Sequence, residues 1–280
     1  MTFELKNDYF CRNFKTMNHI LVPIGESTNA KNTLQYAIDF AQAVDAKVFV
    51  FRAFKVLSKA GTILNVDEIV SREVTTSVKE VVNSVDLKDV EVSVISAKGN
   101  VIDSINSIDK ELGIDLIILG PRSNSIKEEM FLGSTSGSIV KQTDISVLVV
   151  PEGYTFKPIK KVLTAIKSGV IKRKEVLQPL ETILEVFGAK MRLLQIKTPN
   201  FLPEDLEFHS ELAAITSAYR SSENSTLFQG VLEHLNANNP DMICVFRRKR
   251  GFFKKLWEQN SVKKVDFESR LPLLVLKGTD

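Results

Sequence analysis

The chain is predicted to fold as two doubly wound α/β domains in tandem, each a five-stranded parallel sheet with helices on both faces. Three observations carry this reading. Short apolar runs alternate with stretches of helical period from residue 19 to residue 150, the pattern of a parallel sheet with crossover helices. The same pattern restarts near residue 160. At 280 residues and 44% hydrophobic content, the chain can build two cores of ordinary size.

His19 to Ile24 (HILVPI) is the first strand, with Pro23 tolerated where its ladder ends. The turn Gly25-Glu26-Ser27 leads to a helix marked by Leu34, Ala37, Ile38, Ala41 and Val44, with Ser27 as its expected cap. Lys47 to Phe54 is the second strand. A helix follows with Val70, Val74, Val78, Val81, Val82 and Val85 on one face, then a third strand from Val90 to Ser96. Val101, Ile102, Ile105, Ile108 and Leu112 mark the third helix, which Gly113 ends. Asp115 opens the run Leu116 to Leu119, which has no polar alternation and suits a strand buried on both faces. A polar loop, a short helix over Ser136 to Gln142 and a last strand over Ile145 to Val150 complete the unit.

Residues 152–159 read as a linker between a first domain at 17–151 and a second at 160–280, with residues 1–16 as an N-terminal extension. Lys161 to Ile166 (KVLTAI) parallels HILVPI. A helical stripe from Val176 to Phe187 and a strand at Met191 to Ile196 follow. Pro199 and Pro203 predict a reduced second helix. Ile215 to Ser221 is the expected third strand and Leu227 to Leu235 the third helix. Asp241 to Phe246 mirrors Asp115 to Gly120, and Leu271 to Leu276 mirrors Ile145 to Val150.

Net charge is +3, divided as −3 over residues 1–150 and +6 over 151–280. Neither value approaches the strongly basic balance of a dedicated nucleic-acid binder. Two cysteines, Cys11 and Cys244, give neither a disulfide framework nor a metal pattern, in keeping with a reducing cytoplasm. No apolar run is as long as a membrane span, and residues 1–16 carry charges where a secretory signal needs an apolar core. His19, His209 and His234 are isolated. Gly133 to Gly137 reads GSTSG, with Thr135 where a nucleophile elbow needs serine, and no lysine follows a glycine-rich loop as in a phosphate-loop NTPase. No nucleophile, base and orienter assemble, so a metabolic enzyme is not expected. An ATP-activating enzyme would need a richer phosphate loop than Gly25-Glu26-Ser27.

The stretch from Asp115 to Val150 puts Gly120 at a strand end and Gly133-Ser134 before a helix. Unpaired amides and the helix dipole favour phosphate there. Gly120, Ser123, Gly133 and Ser134 stand at the spacing GxxGx9G(S/T), and Ile20 to Ser27 reads ILVPIGES. On these residues the chain resembles the universal stress protein family, as two copies over about residues 17 to 277. That resemblance implies flavodoxin-like or Rossmann-like domains of the adenine nucleotide alpha hydrolase type, with strand order 3-2-1-4-5. It also implies an intramolecular pseudo-dimer formed through the fifth strands, Ile145 to Val150 against Leu271 to Leu276, with further homodimerisation open. An ATP site, with magnesium accompanying the nucleotide, is implied between the first and fourth strands. Pro23, Gly120, Gly133 and Ser134 carry over with matching chemistry, and Ile24, Ala53 and Thr135 are implied neighbours of base or phosphates. Two positions depart from the family pattern: Ser123 stands at the second signature glycine, and Gly25 stands at the first-strand aspartate.

In the second copy Phe246 stands at the position of Gly120, Lys249 at that of Ser123, and Gln259-Asn260 or Asn260-Ser261 at that of Gly133-Ser134. This copy is therefore expected not to hold ATP in the family manner. Arg247 to Lys264 holds eight basic residues and one acidic, interleaved with Phe252, Phe253 and Trp257. Such a stretch grips nucleic acid or anionic membrane in some proteins, but a solvated loop docked by its aromatics is the favoured reading. Two functional readings result. One is a cytoplasmic stress-response regulator with an adenine-nucleotide site in the N-terminal domain. The alternative is an interaction module, without nucleotide, acting on a protein partner through the basic aromatic C-terminal surface.

Overall fold

The computed structural model describes residues 17–55, 66–121, 130–171, 173–247, 262–263 and 270–277. The first half contains β1 (His19–Pro23), α1 (Ala30–Val44), β2 (Lys47–Phe54), α2 (Val66–Asn83), β3 (Val92–Lys98), α3 (Val101–Leu112), β4 (Leu116–Leu119), β5 (Met130–Leu132), α4 (Ser134–Gln142) and β6 (Ser146–Val149). The second contains β7 (Lys161–Ile166), α5 (Gln178–Val186), β8 (Lys190–Lys197), α6 (Ser210–Ala214), β9 (Thr216–Glu223), α7 (Leu227–Asn238), β10 (Met242–Phe246), β11 (Val262–Lys263) and β12 (Leu273–Leu276).

Ten of these strands make one sheet in the order β3-β2-β1-β4-β6-β12-β10-β7-β8-β9. Each half is parallel and runs third, second, first, fourth, last. The halves meet where β6 pairs antiparallel with β12, Leu273 opposite Val149 and Val275 opposite Val147. The fifth-strand contact implied by the sequence is thus made, and it removes two apolar edges that would otherwise be open. β4, β6, β10 and β12 are buried at every position, which is why their sequences carry no alternation.

The two halves begin with the same device. Asp115 Oδ2 accepts from the amides of Asn18 and His19 at 2.8 and 3.1 Å. Asp241 Oδ2 accepts from Lys160 and Lys161 at 2.8 and 2.9 Å. Each carboxylate pins the start of its first strand to its fourth. The turn role expected of these aspartates is a long-range one, joining residues 97 positions apart in the first case.

Side chains pack in two layers across the sheet. One core, with Leu34, Phe40, Val48, Val50, Leu180 and Ile183, runs under α1 and α5 and spans both halves. The other, with Ile105, Ile139, Val147, Leu163 and Val231, lies under α3, α4 and α7. The segment read as a linker is part of the first core. Tyr154 and Phe156 join Tyr36 and Phe40 of α1 and Phe187 after α5, with ring centroids 5.5 to 6.3 Å apart. Burial, reinforced by the neighbouring Tyr154, pushes the Tyr36 hydroxyl far above its usual pKa.

Some boundaries differ from the sequence reading. Ser27 does not cap α1. Its Oγ accepts from the Asn29 amide at 3.1 Å and its carbonyl from Ala30 at 3.0 Å, so it closes the turn before the helix. α4 starts at Ser134, two residues earlier than expected, and β3 is shifted to Val92–Lys98 because Val90 turns back to the carbonyl of Leu87. The second-half helix weakened by proline is reduced as expected, to a 3₁₀ turn at Pro203–Leu206 and the five residues of α6. No helix among the described residues is long and apolar enough to cross a membrane.

Candidate ligand site

The parallel sheet of the first half places its loops at the carboxyl ends of the strands, and a cleft of about 580 Å³ opens there. Seven of the residues singled out from sequence line it together: Pro23, Ile24, Ala53, Gly120, Gly133, Ser134 and Thr135. The eighth, Ser123, lies outside the described residues.

One wall is the start of α4. Gly133 occupies its N-cap with extended backbone and offers no capping side chain. The first intrahelical bond runs from Gly137 N to Gly133 O at 2.8 Å, so the amides of Ser134, Thr135 and Ser136 have no acceptor within the helix. Two bonds fix this turn to the end of β4: Gly133 N donates to Pro121 O at 3.0 Å, and Ser136 Oγ donates to Gly120 O at 2.9 Å. A tethered, electropositive helix end therefore faces the cleft.

Gly120 is required by packing. A Cβ there would lie 2.8 Å from Thr33 Oγ1 and 3.0 Å from Asn29 Nδ2. Asn29 and Thr33 are one helical turn apart at the start of α1, bonded to each other at 3.3 Å, and Asn29 Oδ1 also accepts from Gly153 N. Gly25 is different, since nothing lies within 4 Å of where its Cβ would be.

The opposite wall brings a group that sequence reading missed. Arg52, at the end of β2, lines the cleft and donates to Ser77 Oγ at 3.2 Å and to Glu26 Oε1 at 2.5 Å. The Arg52 side chain is 16% exposed and that of Glu26 86%, so Glu26 reaches back over the rim. The signal for Arg52 was a charge inside the apolar run that follows Lys47 in KVFVFRAF. Among the described residues no group of three or more His, Cys, Asp or Glu could hold a metal ion.

Among the described residues, the corresponding place in the second half is filled by its own chain. Strand register puts Lys167 at the position of Gly25, Gln195 at that of Arg52 and Ile196 at that of Ala53. Gln195 is fully buried, donating to the carbonyls of Lys167 and Asp205 and accepting from the Tyr219 hydroxyl at 2.7 Å. Phe208 bridges to Gly169, where a Cβ would lie 2.7 Å from Glu207 O. Phe246 is buried in the core. Residues 248–261, the bulk of the basic aromatic stretch, lie outside the described residues. Its first member, Arg247, is a structural cation: it donates to Val140 O and Thr143 O, each at 2.6 Å.

Known proteins resemble the chain in sequence over its first half and in fold over both halves. The sequence profile described as the Universal stress protein family matches residues 16–151. Universal stress protein G of Shigella flexneri and that of Escherichia coli O157:H7 are each 38% identical to the chain over 52 residues, 19% of this chain. The match spans 36% of the length of those relatives. Among solved structures, a universal stress protein from Archaeoglobus fulgidus DSM 4304 matches with a TM-score of 0.63 and 16% identity, over 94% of this chain and 99% of the other. A protein of unknown function from Pseudomonas aeruginosa PAO1 matches with a TM-score of 0.56 and 14% identity, over 94% and 93%. At such identities these two matches establish the fold, and they establish it over both halves. Residues 16–151 are thus a domain of the universal stress protein family.

Proposed function

We propose that the first-half cleft binds an adenine nucleotide, with ATP the first choice, as the regulatory ligand of a stress-response protein. The observation that carries this reading is the convergence, on one cleft of nucleotide size, of uncapped α4 amides with the ends of β1, β2 and β4. The donor set suits the ligand: amides of Ser134 to Ser136 for phosphate oxygens, and the apolar edges of Ile24, Phe51 and Ala53 for a base. Magnesium would enter on the phosphates. Glu26 is the one carboxylate among the described residues of the lining, and it is already paired with Arg52, so the protein adds little to the usual shell of water and phosphate.

Calorimetric titration of the full chain with ATP and magnesium tests the reading. Binding in the micromolar range is expected, with loss in Thr135→Trp, a substitution at an exposed position of the cleft wall. No heat up to millimolar ATP would refute it.

A further inference from the structure

The helix that forms the electropositive wall of the cleft is held at both ends by the other half of the molecule. At its C-terminus, Arg247 reaches across from the end of β10. Its Nη1 donates to the carbonyls of Val140 and Thr143, and its Nη2 lies 3.5 Å from Asp144 Oδ1. Val140 O is one of the carbonyls that a helix leaves without an internal donor, and a cation there also meets the negative end of the dipole. The Arg247 side chain is only 17% exposed, so this contact is part of the packed interface. At the other end, β5 runs directly into Gly133, and it pairs antiparallel with β11 of the second half, Val262 opposite Leu132 and Lys263 opposite Met130. Arg247 and β11 thus bracket α4, a helix of nine residues and about 14 Å, from its two ends.

We propose that the second half, whose described residues fill the place equivalent to the cleft, is the positioning element of the first half's site. Arg247 and β11 set the pose of α4, and the pose of α4 sets how well the amides of Ser134, Thr135 and Ser136 converge on an anion. Arg247 touches no ligand; it is a positioning residue acting through the helix. Coupling of this kind is reciprocal, so an anion drawn to the N-terminus of α4 must also tighten the β5–β11 pairing and the Arg247 contact. This inference rests on the nucleotide reading.

The test uses the full chain with ATP as probe. Arg247→Ala should weaken ATP binding at least fivefold, roughly the lower end of ordinary coupling between sites, and Arg247→Lys, which keeps the charge but loses the fork, should fall between it and the wild type. In the wild-type chain, ATP should slow amide exchange at Met130–Leu132 and also at Val262–Lys263, a readout that needs no variant and so decides the matter even if Arg247→Ala fails to fold. Equal affinity in wild type and Arg247→Ala, or ATP-induced protection confined to residues 133–136, would overturn the positioning role while leaving the nucleotide reading intact. Absence of ATP binding by the wild-type chain would overturn both.

Discussion

Gly120→Ala separates two roles that the family signature merges, contact with a ligand and contact with α1. The added methyl would meet Thr33 Oγ1 at 2.8 Å, where ordinary contact begins at 3.4 Å, so the pair must part by about 0.6 Å. Thr33 and Asn29 are 3% and 7% exposed, and Asn29 is held between Thr33 and Gly153, so neither side chain swings freely into solvent. Overpacking of this kind costs about 1 to 3 kcal/mol. For a chain of this size that lowers the melting temperature by about 2 to 10 °C. The assay is thermal and denaturant unfolding of four proteins: wild type, Gly120→Ala, Thr33→Ala and the double variant. In the Thr33→Ala background, which removes the hydroxyl that clashes, the cost of Gly120→Ala should fall by at least half. An undiminished cost in that background, or a Gly120→Ala protein as stable as wild type, would show that the crowding at α1 is not what requires glycine. If ATP binding falls in the double variant although stability is recovered, Gly120 serves the ligand as well.

Other consequences concern the core and the strand starts. Because burial raises the Tyr36 hydroxyl and the Cys244 thiol above the ordinary values of 10.0 and 9.0, both stay neutral in the folded protein while the unfolded chain ionises. Stability should therefore be full below about pH 9 and decline as pH rises beyond it, and Tyr36→Phe should flatten the part of the decline above about pH 10 in denaturant titrations. Tyr36→Ala, by removing the ring that Tyr154 and Phe156 pack on, should cost about 3 to 5 kcal/mol. Asp115→Ala and Asp241→Ala should each cost about 1 to 3 kcal/mol, and by similar amounts, since each carboxylate accepts from two strand-start amides; a large inequality would break the equivalence of the halves. Gly25→Asp should leave the melting temperature within about 2 °C of wild type, because its Cβ enters open space, and should tighten ATP binding if the missing first-strand carboxylate is what limits affinity.

Much of this was legible in the sequence because parallel strands declare themselves. LIIL, SVLV, MICVF and LLVL are apolar at every position since both faces are covered. The cleft was legible because Gly120 and Gly133 mark a strand end and a helix start, where open α/β sheets leave a crevice, although the packing of Gly120 against Thr33 and Asn29 was not. What stayed hidden depends on contacts distant in sequence. EGYTFKP looks like a connection by composition, and only the folded chain shows Tyr154 and Phe156 against α1 and Phe187. Ser27 and Asn29 are equal caps by residue type, and only the fold puts Asn29 at the N-cap, with its side chain turned toward Thr33 and Gly153. Arg247 belonged to a run of like charges whose bland reading is solvation; its partners, two carbonyls of the other half, have no sequence signature.

The two halves share a fold and, among the described residues, differ at one sheet end in side chains that leave room in the first half and fill it in the second. Ala53 leaves room at the end of β2, whereas Ile196 at the same register packs so closely on Gly230 that a Cβ there would lie 2.4 Å from its Cδ1. Arg52 stands at a cleft rim with an exposed carboxylate, whereas Gln195, uncharged, is buried at no cost in unpaired groups because two carbonyls and a tyrosine hydroxyl satisfy it. Loss of the long second helix lets the 203–209 segment fold over β7, where Phe208 meets Gly169. Once filled this way, the second half no longer needs a glycine after its fourth strand, and the position passes to Phe246, next to the arginine that caps α4. Different residues of the second half thus do two things: Gln195, Ile196 and Phe208 fill its own sheet end, while Arg247 reaches across to the carbonyls at the end of α4.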